Sequence, residues 1–405
     1  MSRKLPERKP PQLVLQPTNT ITEIREYTLI TPLFGGGVEP SKADPITVVR
    51  ASEIRGQLRF WWRATRGGQF KSNLVAMRAA EEAIWGGPGR EENGREVGGQ
   101  SRVQVVVREW KNGTAVQASK EVPKYAAFPL QSTSGSNTSL QSLQQDVEFT
   151  LEIRFDKQYQ ADVAAALWAW ETFGGLGART RRGFGALRLK SVKQDHAKVE
   201  PQLPPADQQE FAHWLTQQLA NHIPAEDWPQ HVPHLVKQLR YRVITDSDPI
   251  QIWDQLIDKL QQFRQHRQPG KYGHSSWPEP NAIRHYNGRQ LRGPYKNRLI
   301  LQFPRAQFGL PIIFHMPHDS GLDSTLEGED CNRLASPLIL KPVACRDSKA
   351  IGLAIILEGT TLPQLVLKQN KRLIKVSPSL TQKEASQIPP LHGTPNVLEA
   401  FLDTL

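Results

Sequence analysis

Apolar and polar positions follow a regular order in the first half of the chain. Residues 21–31, 102–110, 146–155 and 186–192 alternate or are rich in β-forming residues, which predicts four strands. A helix is predicted from Ser52 to about Thr65, and an apolar helix over 162–173 ends at Gly174-Gly175. The order strand, helix, strand, strand, helix, strand is typical of the ferredoxin-like fold.

The second half has a different pattern. Residues 210–266 carry apolar positions at helical spacing, and strand-like runs return after residue 297. The predicted fold class is therefore α+β, with a second α+β domain that contains a helical insertion. Four parts are predicted: a flexible arm (1–18), an N-terminal domain (19–195), a linker (196–209) and a C-terminal domain (210–405). The N-terminal domain contains a polar insert at 111–145, and segment 210–266 of the C-terminal domain is helical.

Composition narrows the class of protein. The 405 residues carry 51 Lys and Arg against 40 Asp and Glu, a formal net charge of +11, which favours phosphate-rich partners where the surplus is clustered. Two cysteines exclude a disulfide framework and favour a reducing cytoplasm. No run of 18 apolar residues predicts a membrane span, and we expect no membrane partner.

The most informative segment is a predicted helix, Ser52 to Arg66, which we call the arginine helix. At 100° per residue its apolar side chains share one face, and the neighbouring face presents Arg55, Arg59, Arg63 and Arg66. Like charges four residues apart repel, so a polyanion would stabilise the row. Gly56 would allow close approach of a ligand. The alternative is a solvated basic face with carboxylate partners, of which the segment itself offers only Glu53.

The second basic segment, Gly174 to Gly185, is the glycine/arginine loop. Six basic residues and no acidic one lie between positions 174 and 193, and five glycines in the loop would let a phosphate backbone approach. A tight helix-to-strand turn with exposed arginines is the alternative. The candidate contacts in this loop are Gly174, Gly175, Gly177, Arg179, Arg181, Arg182 and Gly183. Trp62 is also included as a candidate contact, although its position on the apolar stripe favours the core.

These two segments resemble the RAMP superfamily of CRISPR proteins. One motif is similar to the Cmr-type head subunits of type III-B effector complexes: Arg55-Gly56-Gln57-Leu58-Arg59-Phe60-Trp61-Trp62-Arg63. Three further stretches resemble the same subunits, at 276–280, 308–314 and 333–342. The resemblance implies two ferredoxin-like domains and contact with the 3′ part of a guide RNA (crRNA) and with its duplex with target RNA. It also implies neighbouring RAMP subunits and a role in antiviral defence. In the C-terminal half it points to Arg333 and Lys341 as RNA contacts.

Catalysis and scaffolding are the alternatives to RNA binding. No histidine precedes His196, which argues against histidine-based RNA cleavage in the N-terminal half. Asp44 is the candidate catalytic residue of an endonuclease, but a turn aspartate that binds local backbone N–H groups is the simpler interpretation. A protein-interaction scaffold with little direct RNA contact also remains open. We predict no cofactor and no metal site, since His315, His318, Cys331 and Cys345 are too loosely spaced for zinc.

Overall fold

The computed structural model describes residues 19–35, 44, 46–92, 95–117, 122–127, 142–246, 248–269, 273–369 and 372–405. The predicted arm, residues 1–18, lies outside the described residues. The helices are α1 (Ala51–Arg66), α2 (Leu74–Trp85), α3 (Lys124–Ala127), α4 (Gln160–Phe173), α5 (Gln208–His222), α6 (Pro249–Arg264), α7 (Glu279–Tyr286), α8 (Gln382–Ala385) and α9 (Val397–Leu402).

The strands of the described residues form five sheets or strand pairs. In chain order they are β1 (Thr20–Leu29), β2 (Gly87–Glu92), β3 (Arg95–Gly99), β4 (Val103–Lys111), β5 (Thr114–Gln117), β6 (Ser142–Gln145), β7 (Glu148–Asp156), β8 (Leu187–Gln194), β9 (Ala197–Val199), β10 (Tyr241–Asp246), β11 (Ile312–Phe314), β12 (Ser324–Gly328), β13 (Leu338–Ala344), β14 (Ala350–Ile356), β15 (Leu365–Gln369) and β16 (Arg372–Val376).

The N-terminal sheet has the order β4-β7-β1-β8-β9, and its strands pair antiparallel. Apolar side chains alternate along β7, so that one face of the sheet is buried under α1 and α4. On that face Tyr27 of β1 lies opposite Phe149 of β7, with ring centroids 4.9 Å apart. The predicted sequence of strands and helices in this half therefore folds into one antiparallel sheet with its helices on one side.

The C-terminal half differs from the sequence-based expectation. Its strands form a three-stranded sheet, β10-β14-β13, and a four-stranded sheet, β11-β12-β15-β16. The helical segment predicted at 210–266 is interrupted by β10, which is a correction. Residues 241–246 are extended because they pair antiparallel with β14, a long-range contact that helical spacing does not reveal. The chain is a mixed α/β protein with antiparallel sheets.

The predicted insert and linker carry structure of their own. Within 111–145 the described residues form the pair β5-β6 and the short helix α3. Within 196–209, β9 adds an edge strand to the N-terminal sheet. One hydrophobic core cluster contains Leu189 of the N-terminal half together with Ile339 and Leu353 of the C-terminal half. Apolar packing is thus continuous between the two halves.

Candidate nucleic-acid interface

The arginine helix, α1, presents its basic row toward other helices as well as toward solvent. Its apolar face is buried as predicted and includes Ile54, Leu58 and Trp61. Arg59 and Arg63 both donate to the Glu81 carboxylate, each at 2.6 Å. These ion pairs offset the repulsion within the row.

The partners of the row come from two other helices. Glu81 is 4% exposed on α2, where it shares a buried face with Met77 and Trp85. Arg66 pairs with Asp162 of α4 at 3.3 Å. Neither carboxylate was predicted from the sequence, because both lie outside the arginine helix. The available signal was the position of Glu81, four residues from each of the apolar residues Met77 and Trp85 on α2. The carboxylate-partner alternative therefore accounts for three of the four arginines.

Arg55 is the exception within the row. It is exposed and forms no hydrogen bond or ion pair with any residue that the structure describes. Together with Arg59 it lines an open groove of about 820 Å³ whose other walls are the start of α1, Gly86-Gly87 and the edge strand β4. The groove therefore offers an unneutralised guanidinium to a ligand.

The glycine/arginine loop is packed against protein on several sides. A Cβ on Gly174 would lie 2.5 Å from the Trp61 indole nitrogen, and a Cβ on Gly175 would lie 2.7 Å from the Gly185 carbonyl oxygen. Gly177 and Gly183 have φ values of +78° and +86°. These glycines are required by packing and backbone conformation, which is the structural alternative to close approach by RNA.

Burial changes the electrostatics of the three loop arginines. Arg181 lies over the Phe60 ring at 5.4 Å, and burial lowers its pKa to about 10. Arg182 donates to the Leu338 carbonyl oxygen at 2.7 Å, and burial together with neighbouring arginines lowers its pKa to about 9. Burial also lowers the pKa of Arg179. In the described part of the chain no carboxylate pairs with these guanidiniums.

The arginine helix and the loop meet at Gly56. A smaller groove of about 240 Å³ is lined by Gly56, Gln57 and Phe60 of α1 and by Thr180 and Arg181 of the loop. A Cβ at Gly56 would meet open space, so the groove is not closed by protein there. The two basic segments that the sequence singled out are therefore neighbours in space.

Two predicted RNA contacts require correction. Trp62 is fully buried, and its indole nitrogen donates to Asp162 at 2.8 Å, so its ring is unavailable for stacking on a base. Lys341 is 1% exposed and donates to the carbonyl oxygens of Gly174 (2.7 Å) and Glu171 (3.2 Å) at the end of α4. Both side chains belong to the interior, where a phosphate cannot reach them. Arg333 is exposed, as an RNA contact requires.

Asp44 has the geometry of a turn residue. One carboxylate oxygen accepts from the backbone N–H of Ile46 (2.9 Å) and of Thr47 (2.8 Å), and these bonds lower its pKa. The same oxygen cannot readily serve as a base toward a substrate while it accepts both bonds. Among the described residues, no group of three or more His, Cys, Asp and Glu side chains is arranged to hold a metal ion.

Several charges on the open face of the N-terminal sheet pair across strands: Arg108 with Glu152 at 2.8 Å, and Lys111 with Glu148 at 2.9 Å. Lys190 also approaches Glu148, at 3.5 Å. Arg154 of β7 is exposed on the same face and forms no ion pair with a described residue. No helix in the described ranges has the length and apolarity needed to cross a membrane.

The fold and these two segments define a class of protein. Residues 26–188 match the model of the RAMP superfamily, which confirms the resemblance seen in the sequence for that part of the chain. The chain is 26% identical over 187 residues to CRISPR system Cmr subunit Cmr1-2 of Pyrococcus furiosus, a match that covers 42% of this chain and 96% of that protein.

Two solved structures share the fold over most of the chain. The crystal structure of apo Cmr1 from Pyrococcus furiosus superposes with a TM-score of 0.51 at 16% identity, covering 87% of this chain and 93% of that one. A chain in the cryo-EM structure of the type III-B Cmr-beta complex bound to cognate target RNA gives a TM-score of 0.50 at 12% identity, covering 95% and 99%. The likeness in fold to these two structures thus extends beyond residues 26–188.

Proposed function

We propose that this chain is a non-catalytic, RNA-binding subunit of a type III-B CRISPR effector complex that acts in antiviral defence. Its partners are a guide RNA, a target RNA and other RAMP subunits. We place the 3′ part of the guide and the guide–target duplex along α1 and the glycine/arginine loop. The two parts of the chain that we propose as ferredoxin-like domains are residues 19–195 and 210–405, joined by 196–209.

The observation that carries this proposal is the unneutralised charge around two adjoining grooves. Arg55 has no partner among the described residues, and the loop arginines find no carboxylate there. Guanidiniums without a counter-ion attract phosphates, and such contacts fix the register of a strand without reading its sequence. Similarity to Cmr1 and to a chain of an RNA-bound Cmr-beta complex supports RNA as the polyanion. Base pairing between guide and target would then supply sequence specificity.

Mechanistically the chain positions RNA and does no chemistry on it. Arg55 and Arg333 would contact phosphates at the surface, while the buried glycines hold the loop in the shape that presents its arginines. One carboxylate oxygen of Asp44 is bound to the backbone of its own turn, which favours the turn interpretation over a role in cleavage. The predicted role of the arginine row is thereby divided: Arg59, Arg63 and Arg66 hold helices together, and Arg55 remains available to RNA.

The charge reversal Arg55→Glu tests this proposal in the assembled complex. Because Arg55 has no intramolecular partner in the described residues, we expect assembly and thermal stability to be unchanged, and the affinity for guide-matched RNA to fall by about tenfold. Gel filtration would follow assembly, and filter binding at several salt concentrations would follow RNA. Lys383→Glu, at an exposed position of α8, is the matched control. Failed assembly with unchanged RNA binding would favour the protein-interaction scaffold instead.

A further inference from the structure

The C-terminal end of α6 brings a further arginine to the glycine/arginine loop. Arg264 is the last residue of α6, and its positive charge is one of the causes that lower the pKa of Arg182. Arg179 acts on Arg182 in the same way, as does its neighbour Arg181. Arg179 and Arg264 thus both lie within electrostatic reach of Arg182, and we call Arg179, Arg182 and Arg264 the three-arginine cluster.

The cluster lacks a counter-ion in the part of the chain that the structure describes. The Nε atoms of Arg179 and Arg264 are buried and have no hydrogen-bond partner. Glu279 is the carboxylate whose charge acts on Arg264, but it accepts instead from Arg305, at 3.0 Å from Nε. Burying guanidiniums together without an anion is costly, and a site with unsatisfied donors is expected to recruit one.

Surrounding groups hold two of these guanidiniums, those of Arg182 and Arg264. The Trp253 indole donates to the Arg182 carbonyl oxygen at 2.6 Å, and Arg182 in turn donates to the Leu338 carbonyl oxygen. Arg264 lies over the rings of Phe308 (5.3 Å) and Tyr125 (6.0 Å). All three arginines are partly rather than fully buried. Preorganisation of this kind reduces the ordering cost of binding.

We propose that the three-arginine cluster is a binding site for one phosphate group, supplied by the backbone of the RNA. Three neighbouring guanidiniums suit the several oxygens of a phosphate better than the two oxygens of a carboxylate, which a single arginine fork satisfies. The inference rests on the proposed function for the source of the phosphate. It extends the RNA path from the loop onto α6, and so makes both halves of the chain contribute to one phosphate contact.

The variant Arg264→Gln tests the site in the full-length protein. With labelled single-stranded RNA as the probe, we expect affinity to fall about tenfold, and the slope of log K against log salt to decrease by about 0.7. Because one of several mutually repelling charges is removed, the melting temperature without RNA should not fall. A purely structural arginine would lower it. Arg242→Gln, which removes an exposed arginine paired with Asp403, is the matched control.

The outcomes separate this inference from the proposed function. If the wild type binds RNA and Arg264→Gln binds it equally well, the phosphate site is overturned and the proposed function stands. The same conclusion follows if Arg264→Gln loses both RNA affinity and melting temperature. If the wild type binds no RNA, the proposed function fails. The phosphate site is then tested by comparing the melting temperatures of the wild type and Arg264→Gln in inorganic phosphate and in chloride at the same ionic strength. Stabilisation of the wild type alone by phosphate would support a site for free phosphate. Equal behaviour of the two proteins would reject it.

Discussion

At the scale of single residues, Glu81 organises the basic row of α1. It is buried, and two guanidiniums share one of its oxygens. The sequence predicts the row correctly, because helical spacing fixes which residues share a face. It does not predict the partner, because the contact between α1 and α2 depends on how the two helices pack. Trp62 follows the same rule: its place on the apolar stripe indicated the core, and it lies in the core.

Replacing Glu81 by Gln should separate the structural and RNA-binding roles of the row. Loss of the shared carboxylate leaves Arg59 and Arg63 to repel each other, so the free energy of unfolding should fall by about 1–3 kcal/mol in a urea titration. The two released guanidiniums should steepen the salt dependence of RNA affinity. Glu200→Gln, at an exposed position on the surface, is the control. Unchanged stability in Glu81→Gln would contradict the ion-pair account.

At the scale of elements, the N-terminal half follows its local pattern closely. Predicted strands at 102–110 and 146–155 correspond to β4 (103–111) and β7 (148–156), and the predicted helix at 162–173 corresponds to α4 (160–173). Period-two and period-3.6 patterns suffice where one face of each element is buried. The pattern fails at β10, a six-residue edge strand between two helices whose conformation is set by pairing with β14. It also misses the burial of the loop glycines, which depends on distant elements such as Trp253 of α6.

Lys341 joins the element β13 to the end of α4, and its titration should be visible in stability. Burial lowers its pKa to about 7, against 10.5 for an ordinary lysine. The unfolded chain therefore binds more protons between those values, so this group adds stability as pH rises from 7 toward 10.5 and loses it as pH falls. As pH rises through this range, the free energy of unfolding of the wild type should increase relative to that of Lys341→Met by up to about 1.4 kcal/mol per pH unit.

The measurement is urea denaturation of both proteins across pH 7 to 10. The exposed Lys349→Met controls for loss of a lysine near the same sheet. If the free energy of unfolding depends on pH in the same way for the wild type and Lys341→Met, then Lys341 is not buried in a site that disfavours its charged form. The same outcome would restore Lys341 as a candidate surface contact.

At the scale of the whole molecule, the placement of charge matters more than its sum. On the open face of the N-terminal sheet, Arg108 and Lys111 pair across strands with Glu152 and Glu148. Within the described residues, Arg55 has no such partner, and two arginines of the three-arginine cluster have buried Nε atoms without one. The net charge of +11 alone could not have located these sites. The loop lines one groove together with α1, and its Gly183 lies against Trp253 of α6, because apolar packing is continuous between the two halves.

Ultraviolet crosslinking of the complex assembled on guide and target RNA, followed by mapping of the crosslinked peptides, tests the central claim most directly. The account predicts crosslinks in peptides from α1 (51–66) and the glycine/arginine loop (174–185), with few in the strand β7. Crosslinks confined to β7, or none to this chain in an intact complex, would contradict it.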